Sequence, residues 1–186
     1  AIKADEYEKN RHFFIAQYFR DNYEQSLNKL PFVGAQTVIN KIEVWVTNKT
    51  RQTEEVREIV AFQDLGETNK IYNTAHVFSS GGTYPENKAN NLYNIITRSP
   101  NSGDFRDPSR CISFLESNGF QAVDDFEKVS ARKLAPTEYT FNPQLGYISL
   151  NQQLRPDEVL GVAIQYTVNG AVHQIGEFAT DLPPLA

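Results

Sequence analysis

The stretch from Asn142 to Gly170, "NPQLGYISLNQQLRPDEVLGVAIQYTVNG", decides the fold class. Two of its runs, "GYISL" (146–150) and "VLGVAIQYTV" (159–168), are rich in the β-branched and aromatic residues that favour strands. Asn169-Gly170 is a strong signal for the type I′ turn of a β-hairpin. The stretch therefore predicts antiparallel strands joined by tight turns, and it contains hardly a side chain suited to catalysis.

A two-residue loop at Asn169-Gly170 also predicts the register of the hairpin, because loop length determines which residues face each other. The facing pairs on one side, which we expect to be buried, are Val168 with Ala171, Tyr166 with His173, Ile164 with Ile175, and Val162 with Glu177. The other side carries Thr167, Gln165 and Ala163, and we expect it to lie nearer solvent or under a thin covering layer.

Further strands are predicted around this hairpin and one helix before it. "FEKVSARKL" (126–134), "EYTF" (138–141) and "AVHQIGEF" (171–178) have strand composition, and Ile42, Val44 and Val46 alternate with polar or aromatic residues in "KIEVWVTNK" (41–49). Near the start, apolar residues recur at helical spacing and predict a helix that ends near Pro31. Its apolar positions are Ile15, Phe19, Tyr23, Leu27 and Leu30.

The segment "VREIVAFQDLGE" (56–67) is ambiguous between a helix and a strand. We prefer a strand, because Ile59–Phe62 is a compact apolar run, and we expect residues 49–55 to join it to the preceding strand as a hairpin. Residues 79–110 are rich in turn formers and predict long loops around one short helical pattern, the residues of which are Ala89, Leu92, Tyr93 and Ile96.

A second helix is predicted to begin with Asp107 as N-cap and Pro108 at the first helical position, and to end at Asn118-Gly119. Its expected buried face is Cys111, Ile112, Phe114 and Leu115. Helices come first and strands later, so we predict an α+β fold. In it, N-terminal and central helices pack on a largely antiparallel sheet formed mainly by the C-terminal third. We expect residues 1–186 to form a single domain.

Composition argues against several classes of function. The net charge is −5 and the pI is about 5.2, with scattered Lys and Arg, so no nucleic-acid partner is expected. No run approaches the ~18 apolar residues of a membrane helix. The start of the chain, "AIKADEYEKN", lacks the layout of a signal peptide, and we expect the chain to be a monomeric fragment of a longer protein.

The residues most often used in metal and nucleophilic sites are few and far apart. His12, His76 and His173 have no metal-ligand spacing, and each is expected to have an ordinary polar or packing role. Cys111 lies on the predicted apolar face of its helix, where a free cysteine behaves as a small hydrophobe. Gly81-Gly82 is a turn and not a phosphate-binding loop. No catalytic, cofactor-binding or metal-binding residue is therefore predicted among these positions. No cofactor is expected either.

Carboxylates offer two weaker alternatives. Asn101, Asp104 and Asp107 distantly resemble a calcium loop but lack its order and its closing glutamate, so Asp107 is better explained as a helix cap. Adjacent acids occur in pairs that could supply acid-base groups, although paired acids on loops are more often solvated. These pairs are Glu54-Glu55, Asp124-Asp125 and Asp157-Glu158.

Several phrases, distributed in order over most of the chain, resemble the recurring extramembrane module of the SprA family, also called Sov. They are "HFFIAQYFRDNYEQSLNKLP", "INKIEVWVTNKT", "IVAFQDLGE", "SARKLAPTEYTFNPQLGYISLNQQLRPDEVLGVAIQYTVNG" and "VHQIGEFATD". That family is the giant outer-membrane translocon of the type IX secretion system of gliding bacteria and their non-gliding relatives. The phrasing fades in residues 79–106.

The resemblance implies a non-catalytic structural domain of a protein-secretion translocon that is required for type IX secretion and gliding motility. Its implied partners are the rest of the translocon chain and its barrel, with a PorV-like protein and a plug protein as further candidates. The implied location is the outer membrane at the cell surface, with the periplasmic side as the alternative. Another function stays open: a cell-surface module that binds a carbohydrate or protein ligand with exposed aromatic residues, or, more remotely, a hydrolase that uses scattered carboxylates.

Overall fold

The structure is a computed structural model that describes residues 8–98 and 104–181. It has the predicted α+β fold, with short helices and two antiparallel sheets. The helices are α1 (Gln17–Leu27), α2 (Leu92–Thr97) and α3 (Pro108–Ser117). The strands are β1 (His12–Phe14), β2 (Thr37–Thr47), β3 (Val56–Phe62), β4 (Phe126–Lys133), β5 (Tyr139–Asn142), β6 (Tyr147–Leu150), β7 (Leu160–Val168) and β8 (Ala171–Ile175).

The larger sheet has five strands in the order β3-β4-β2-β7-β8, with β2 at its centre. The alternation predicted for β2 is present, because Val44 and Val46 are buried on the face that also carries Val162 of β7. Glu43 and Trp45, which point to the opposite face, are buried as well. Both faces of the central strand are therefore covered over residues 43–46.

The hairpin predicted between β2 and β3 does not form, although β3 is a strand as preferred. The partner of β3 is β4, in a register that pairs Val56 with Arg132 and Phe62 with Phe126. β4 in turn pairs with the C-terminal end of β2, from Trp45 to Thr47. β4, which begins about 80 residues after the end of β2, therefore lies beside β2 in the position expected for β3. Packing across the whole chain, and not proximity in sequence, decides which strands pair.

The β7–β8 hairpin confirms the predicted turn and most of the predicted register. Asn169 and Gly170 both have positive φ, 49° and 82°, as a type I′ turn requires, and Ile164 faces Ile175. Ile164 and Tyr166 are 0% exposed, so the predicted face is the buried one. The last predicted pair, Val162 with Glu177, is absent: β8 ends at Ile175, where the chain leaves the ladder through Gly176 at φ 79°.

The smaller sheet has the order β1-β6-β5. Its first strand was not predicted, because the helical spacing in the sequence begins at Ile15 and leaves His12–Phe14 without an assignment. α1 begins only at Gln17, after Ile15 has donated its N–H to Gly146 O at 3.0 Å. It also ends earlier than predicted: Leu30 lies beyond the helix and is 67% exposed, so it is not part of the apolar face.

Three groups of buried side chains form the core. One joins Phe19 of α1 to Tyr166 of β7, and another joins Val44 of β2 to Ile148 of β6, so that the smaller sheet covers one face of the larger. The third packs α2 and α3 on Phe126 at the end of β4. The helices and the smaller sheet therefore cover different parts of the five-stranded sheet.

α3 begins and ends as the sequence predicts. The Asp107 side chain accepts hydrogen bonds from the N–H groups of Ser109 and Arg110, and Pro108 occupies the first turn. Cys111 and Leu115 are buried, whereas Ile112 and Phe114 are only half-buried. The helix ends at Asn118, and Gly119 follows with φ 87°.

Candidate functional site

A cavity of about 610 Å³ opens where the outer edge of β3 and the N-terminal half of β7 face α2 and the start of α3. Consecutive residues of both strands line it, from Glu58 to Gln63 and from Leu160 to Ile164. Most of the remaining lining is apolar and is contributed by Phe13, Ile15, Trp45, Ile96, Phe105 and Ile148. The sequence analysis did not predict this site.

The edge of β3 that faces away from β4 has unpaired backbone groups. Glu55 O accepts from Lys133 N, and Gln63 N donates to Asp125 O, so odd-numbered residues of β3 bond to β4. By the alternation of an antiparallel ladder, the even-numbered residues point their N–H and C=O groups outward. Within the part of the chain that the structure describes, no hydrogen bond reaches the outward groups of Val56, Glu58, Val60 or Phe62.

β7 has a similar free edge over its first residues. Val159 O accepts from Thr47 N, which places the backbone groups of Leu160 and Val162 on the side away from β2. β8 would occupy that side, but its pairing with β7 begins only at Ile164. The two unpaired edges therefore line the same cavity.

Charged groups stand at the margin of the cavity. Tyr93 OH donates to Glu177 Oε1 at 3.1 Å, and Arg106 Nη2 lies 3.7 Å from the same oxygen. Burial and the neighbouring Glu177 carboxylate raise the pKa of Tyr93. Glu67 accepts from Gln17 N at 3.2 Å; burial raises the pKa of its carboxyl, because the charged form loses hydration there.

Cys111 also lines the cavity, as part of the cluster of α2, α3 and Phe126. Its side chain is buried, and desolvation raises the pKa of the thiol. Because burial favours the neutral form, the thiol stays protonated at neutral pH and packs as a small hydrophobe, as predicted.

The three histidines are not brought together. His12 contacts Ser149 and Glu8 on the smaller sheet, His76 packs against the Phe120 ring at 5.2 Å, and His173 stacks on Tyr166. Within residues 8–98 and 104–181, no group of three His, Cys, Asp or Glu side chains could hold a metal ion.

The acidic positions weighed for the calcium loop separate in the fold. Asp107 caps α3, and Asp104 belongs to a single 3₁₀ turn that ends at Arg106. Asn101 lies outside the described residues. What the structure describes of this segment is therefore the start of a helix, with its aspartate engaged by backbone N–H groups.

The adjacent acid pairs are also separated in role. Asp125 is buried and accepts from Asn73 Nδ2 at 2.7 Å and from Gln121 N at 2.7 Å, while Asp124 is exposed. Asp157 forms a surface ion pair with Lys49, and hydrogen bonding to that ammonium group lowers its pKa. The remaining acids are no more suited to acid-base chemistry. Glu54 and Glu55 are exposed, and Glu158 forms an ion pair with Arg155.

A network of hydrogen bonds that was not predicted from the sequence holds the long connection between β3 and α2. Asp64 is 4% exposed and accepts from the N–H groups of Tyr72 and Asn73 at 2.7 and 2.8 Å. The Asn73 side chain donates from Nδ2 to Asp125 Oδ1 and so links Asp125 to this network. Asn90 Nδ2 donates to Asp64 O at 2.6 Å. A single aspartate in a loop does not reveal such a role in the sequence, because its carboxylate binds backbone N–H groups 8 and 9 residues away and its carbonyl binds a side-chain amide 26 residues away.

The geometry defines a class: an α+β domain of two antiparallel sheets with an apolar cavity bordered by free strand edges. Among the described candidate groups, the three histidines, Cys111, Asp107 and Asp125 are engaged in packing or hydrogen bonding. The family model SprA_N, described as motility related/secretion protein, matches residues 1–155, which is most of the chain. The chain belongs to this family. A comparison with curated proteins finds no match. Among the described helices, none has the length and hydropathy needed to cross a membrane.

Proposed function

We propose that this chain is a non-catalytic structural domain of an outer-membrane protein-secretion translocon that is required for type IX secretion and gliding motility. The family match over residues 1–155 carries the proposal, because motility and secretion are the activities in the family's description. The single-domain organisation of residues 1–186 is part of the same proposal.

The packing of the aromatic side chains supports an architectural role over ligand binding. The large rings of Phe19, Trp45, Tyr166 and Phe178 are buried in the core. Among the described residues, the exposed rings of Phe32, Tyr72 and Phe78 stand on separate loops. Phe14, which is 40% exposed on β1, packs edge-to-face with Tyr23 and Tyr147 and so forms no flat aromatic surface with them. A carbohydrate platform needs rings that are exposed together on one face, and this arrangement does not favour one.

The proposed partners are the remainder of the translocon chain and its barrel, with PorV-like and plug proteins as further candidates. The proposed location is the outer membrane at the cell surface, with the periplasmic side as the alternative. The negative net charge of −5 fits a protein that binds no nucleic acid.

The proposal is tested in a gliding bacterium whose translocon gene carries substitutions in this domain. Gly146→Leu, which forces a side chain into the Phe19 ring, should abolish both gliding and the secretion of a type IX cargo. Gly81→Ala, at a turn with open space around it, should leave both intact. Normal gliding and secretion with a demonstrably unfolded domain would refute the requirement.

The non-catalytic part needs a separate arm. Glu67→Gln and Glu177→Gln keep the size of the side chain but remove the carboxylates at the cavity margin. Both variants should fold and should support secretion at the normal level. Loss of secretion by either variant with a folded domain and an assembled translocon would instead show that the carboxylate itself is needed for secretion, whether for binding or for chemistry.

A further inference from the structure

The outer edge of β3 is an open template for another strand. Its outward backbone groups, at Val56, Glu58, Val60 and Phe62, meet no described partner, and the edge lines the apolar cavity. Unpaired edges of this kind recruit extended peptides by main-chain hydrogen bonds, while pockets beside the edge select the side chains. We propose that the cavity receives an extended peptide segment that pairs with the outer edge of β3.

The burial of β3 fits a strand that lacks one neighbour. It contains the apolar run Ile59–Phe62, yet each of its seven residues keeps part of its surface exposed. β2, which has a strand on both sides, has six buried residues. A further strand beside β3 would remove part of this exposed apolar surface from water, which is favourable.

β7 forms the far wall of the site. Leu160 and Val162 present their own unpaired backbone groups to the cavity. A Cβ placed on Gly161 of β7 would lie 3.4 Å from Ile59 Cδ1, so the Ile59 side chain of β3 reaches β7 at this point. A segment that pairs with β3 consequently runs past Gly161, and a larger residue at that position obstructs it.

The lining selects the chemistry of the segment. Its apolar walls favour a strand in which valine, isoleucine or leucine alternates with small polar residues. The charged residues of the lining are three glutamates, Glu58, Glu67 and Glu177, against one arginine, Arg106. A neutral or basic segment is therefore favoured over an acidic one. β3 has seven residues to pair with, which matches a segment of similar length.

This inference depends on the strand edges alone and not on the proposed role in secretion, so a binding experiment on the purified chain tests it. The probes are synthetic seven-residue peptides with Val, Ile or Leu at alternating positions and a lysine at each end. The same peptides with N-methylated alternate amides serve as controls, because they cannot complete a ladder. Binding of the first set and at least tenfold weaker binding of the second set is the expected result.

Amide hydrogen exchange locates the contact. In the free chain the amides of Ile59 and Ala61, which bond to β4, should exchange slowly, and those of Val60 and Phe62 should exchange fast. The peptide should slow exchange at Glu58, Val60 and Phe62 specifically. Slow exchange at these three positions in the free chain would mean that the edge is already covered, and it would overturn the proposal.

Two glycine variants give a matched pair. Gly161→Val places a side chain against Ile59 in the cavity. Gly82→Val adds the same atoms on a loop, where the atom nearest to the added Cβ apart from the adjoining residues, Tyr84 O, is 4.0 Å away. The first should weaken peptide binding at least tenfold, and the second should not change it, with both variants checked for an unchanged fold.

Three further outcomes refute the idea. They are equal binding by both glycine variants, no binding by any peptide of the panel up to about 1 mM, and protection of the edge amides that rises with protein concentration alone. The last result would assign the edge to a second copy of this chain.

Discussion

The contact between Gly146 and Phe19 gives the sharpest test of the core. Gly146 has φ 69°, in the left-handed region, and a Cβ at this position would lie 2.1 Å from Phe19 Cδ1 and 2.2 Å from Cγ. Phe19 is 3% exposed and packs edge-to-face on Tyr166 with ring centroids 5.8 Å apart. Gly146→Ala therefore strains the backbone and displaces a buried ring at the same time.

The magnitude follows from these two costs. A left-handed conformation costs a non-glycine residue about 1–2 kcal/mol. Expelling Phe19 costs at most what its removal by Phe19→Ala should cost, about 3–5 kcal/mol. The combined loss of about 4–7 kcal/mol is comparable with the total stability of a domain of this size, about 5–15 kcal/mol. Gly146→Ala should be among the most destabilising single substitutions in the chain.

A double-mutant cycle separates the terms. With Phe19→Ala already in place the ring is gone, so Gly146→Ala should cost only about 1–2 kcal/mol more. Gly81→Ala is the matched control, because Gly81 also has positive φ, 81°, but no atom within 4 Å of an added Cβ. It should cost only the backbone strain.

Urea unfolding followed by the fluorescence of the single tryptophan, Trp45, measures the parent chain, the three variants of the cycle and the control. Trp45 is 6% exposed and changes its surroundings on unfolding. The reasoning is refuted if Gly146→Ala costs no more than Gly81→Ala, or if the two substitutions in the cycle prove additive.

Three further predictions concern caps, turns and pH. Asp107→Ala removes the acceptor for two N–H groups at the start of α3 and should lower the unfolding free energy by about 1 kcal/mol; a urea midpoint equal to that of the parent chain would contradict the cap. Gly170→Val meets no atom within 4 Å but requires positive φ, so thermal unfolding should show a loss on the order of 1–3 kcal/mol, and an unchanged Tm would argue against the type I′ turn. Burial raises the pKa of Glu67 above its ordinary value of 4.5, so the folded chain binds that proton more tightly than the unfolded chain does, and the resulting stability is lost as pH rises through the folded pKa. Glu67→Gln, which can still accept from Gln17 N, should therefore gain stability relative to the parent chain between pH 4 and pH 7, a trend that urea titrations at several pH values check; a parallel pH dependence of the two chains would exclude it.

Local rules accounted for the parts of the fold that depend on neighbouring residues. The turn at Asn169-Gly170 determines the pairing of Ile164 with Ile175, and Asp107 with Pro108 determines the start of α3. The prediction of a hairpin between β2 and β3 was wrong, because packing across the whole chain determines which strands are neighbours. No pattern within residues 41–67 reveals that β4 will intervene.

The first strand and the cavity were missed for related reasons. His12–Phe14 forms a strand only because β6 is available to pair with it, and its apolar residues are equally compatible with the helix that follows. The cavity depends on two edges that remain unpaired, at β3 and at the start of β7, where β8 stops at Ile175. Sequence periodicity reports which face a strand buries, but it does not report which neighbour is missing.

The pairing of His12 with Ser149 has a consequence for how the chain reaches its folded state. The two residues are 137 positions apart, and the central strand β2 likewise needs β7 from the far end of the described chain. A polypeptide that emerges N-terminus first must therefore wait for most of its length before either sheet can close. During that interval Phe13, Phe19 and Val44 have no partners, and such early apolar segments are prone to aggregate. A chaperone that holds the emerging chain should therefore raise the yield of the folded domain.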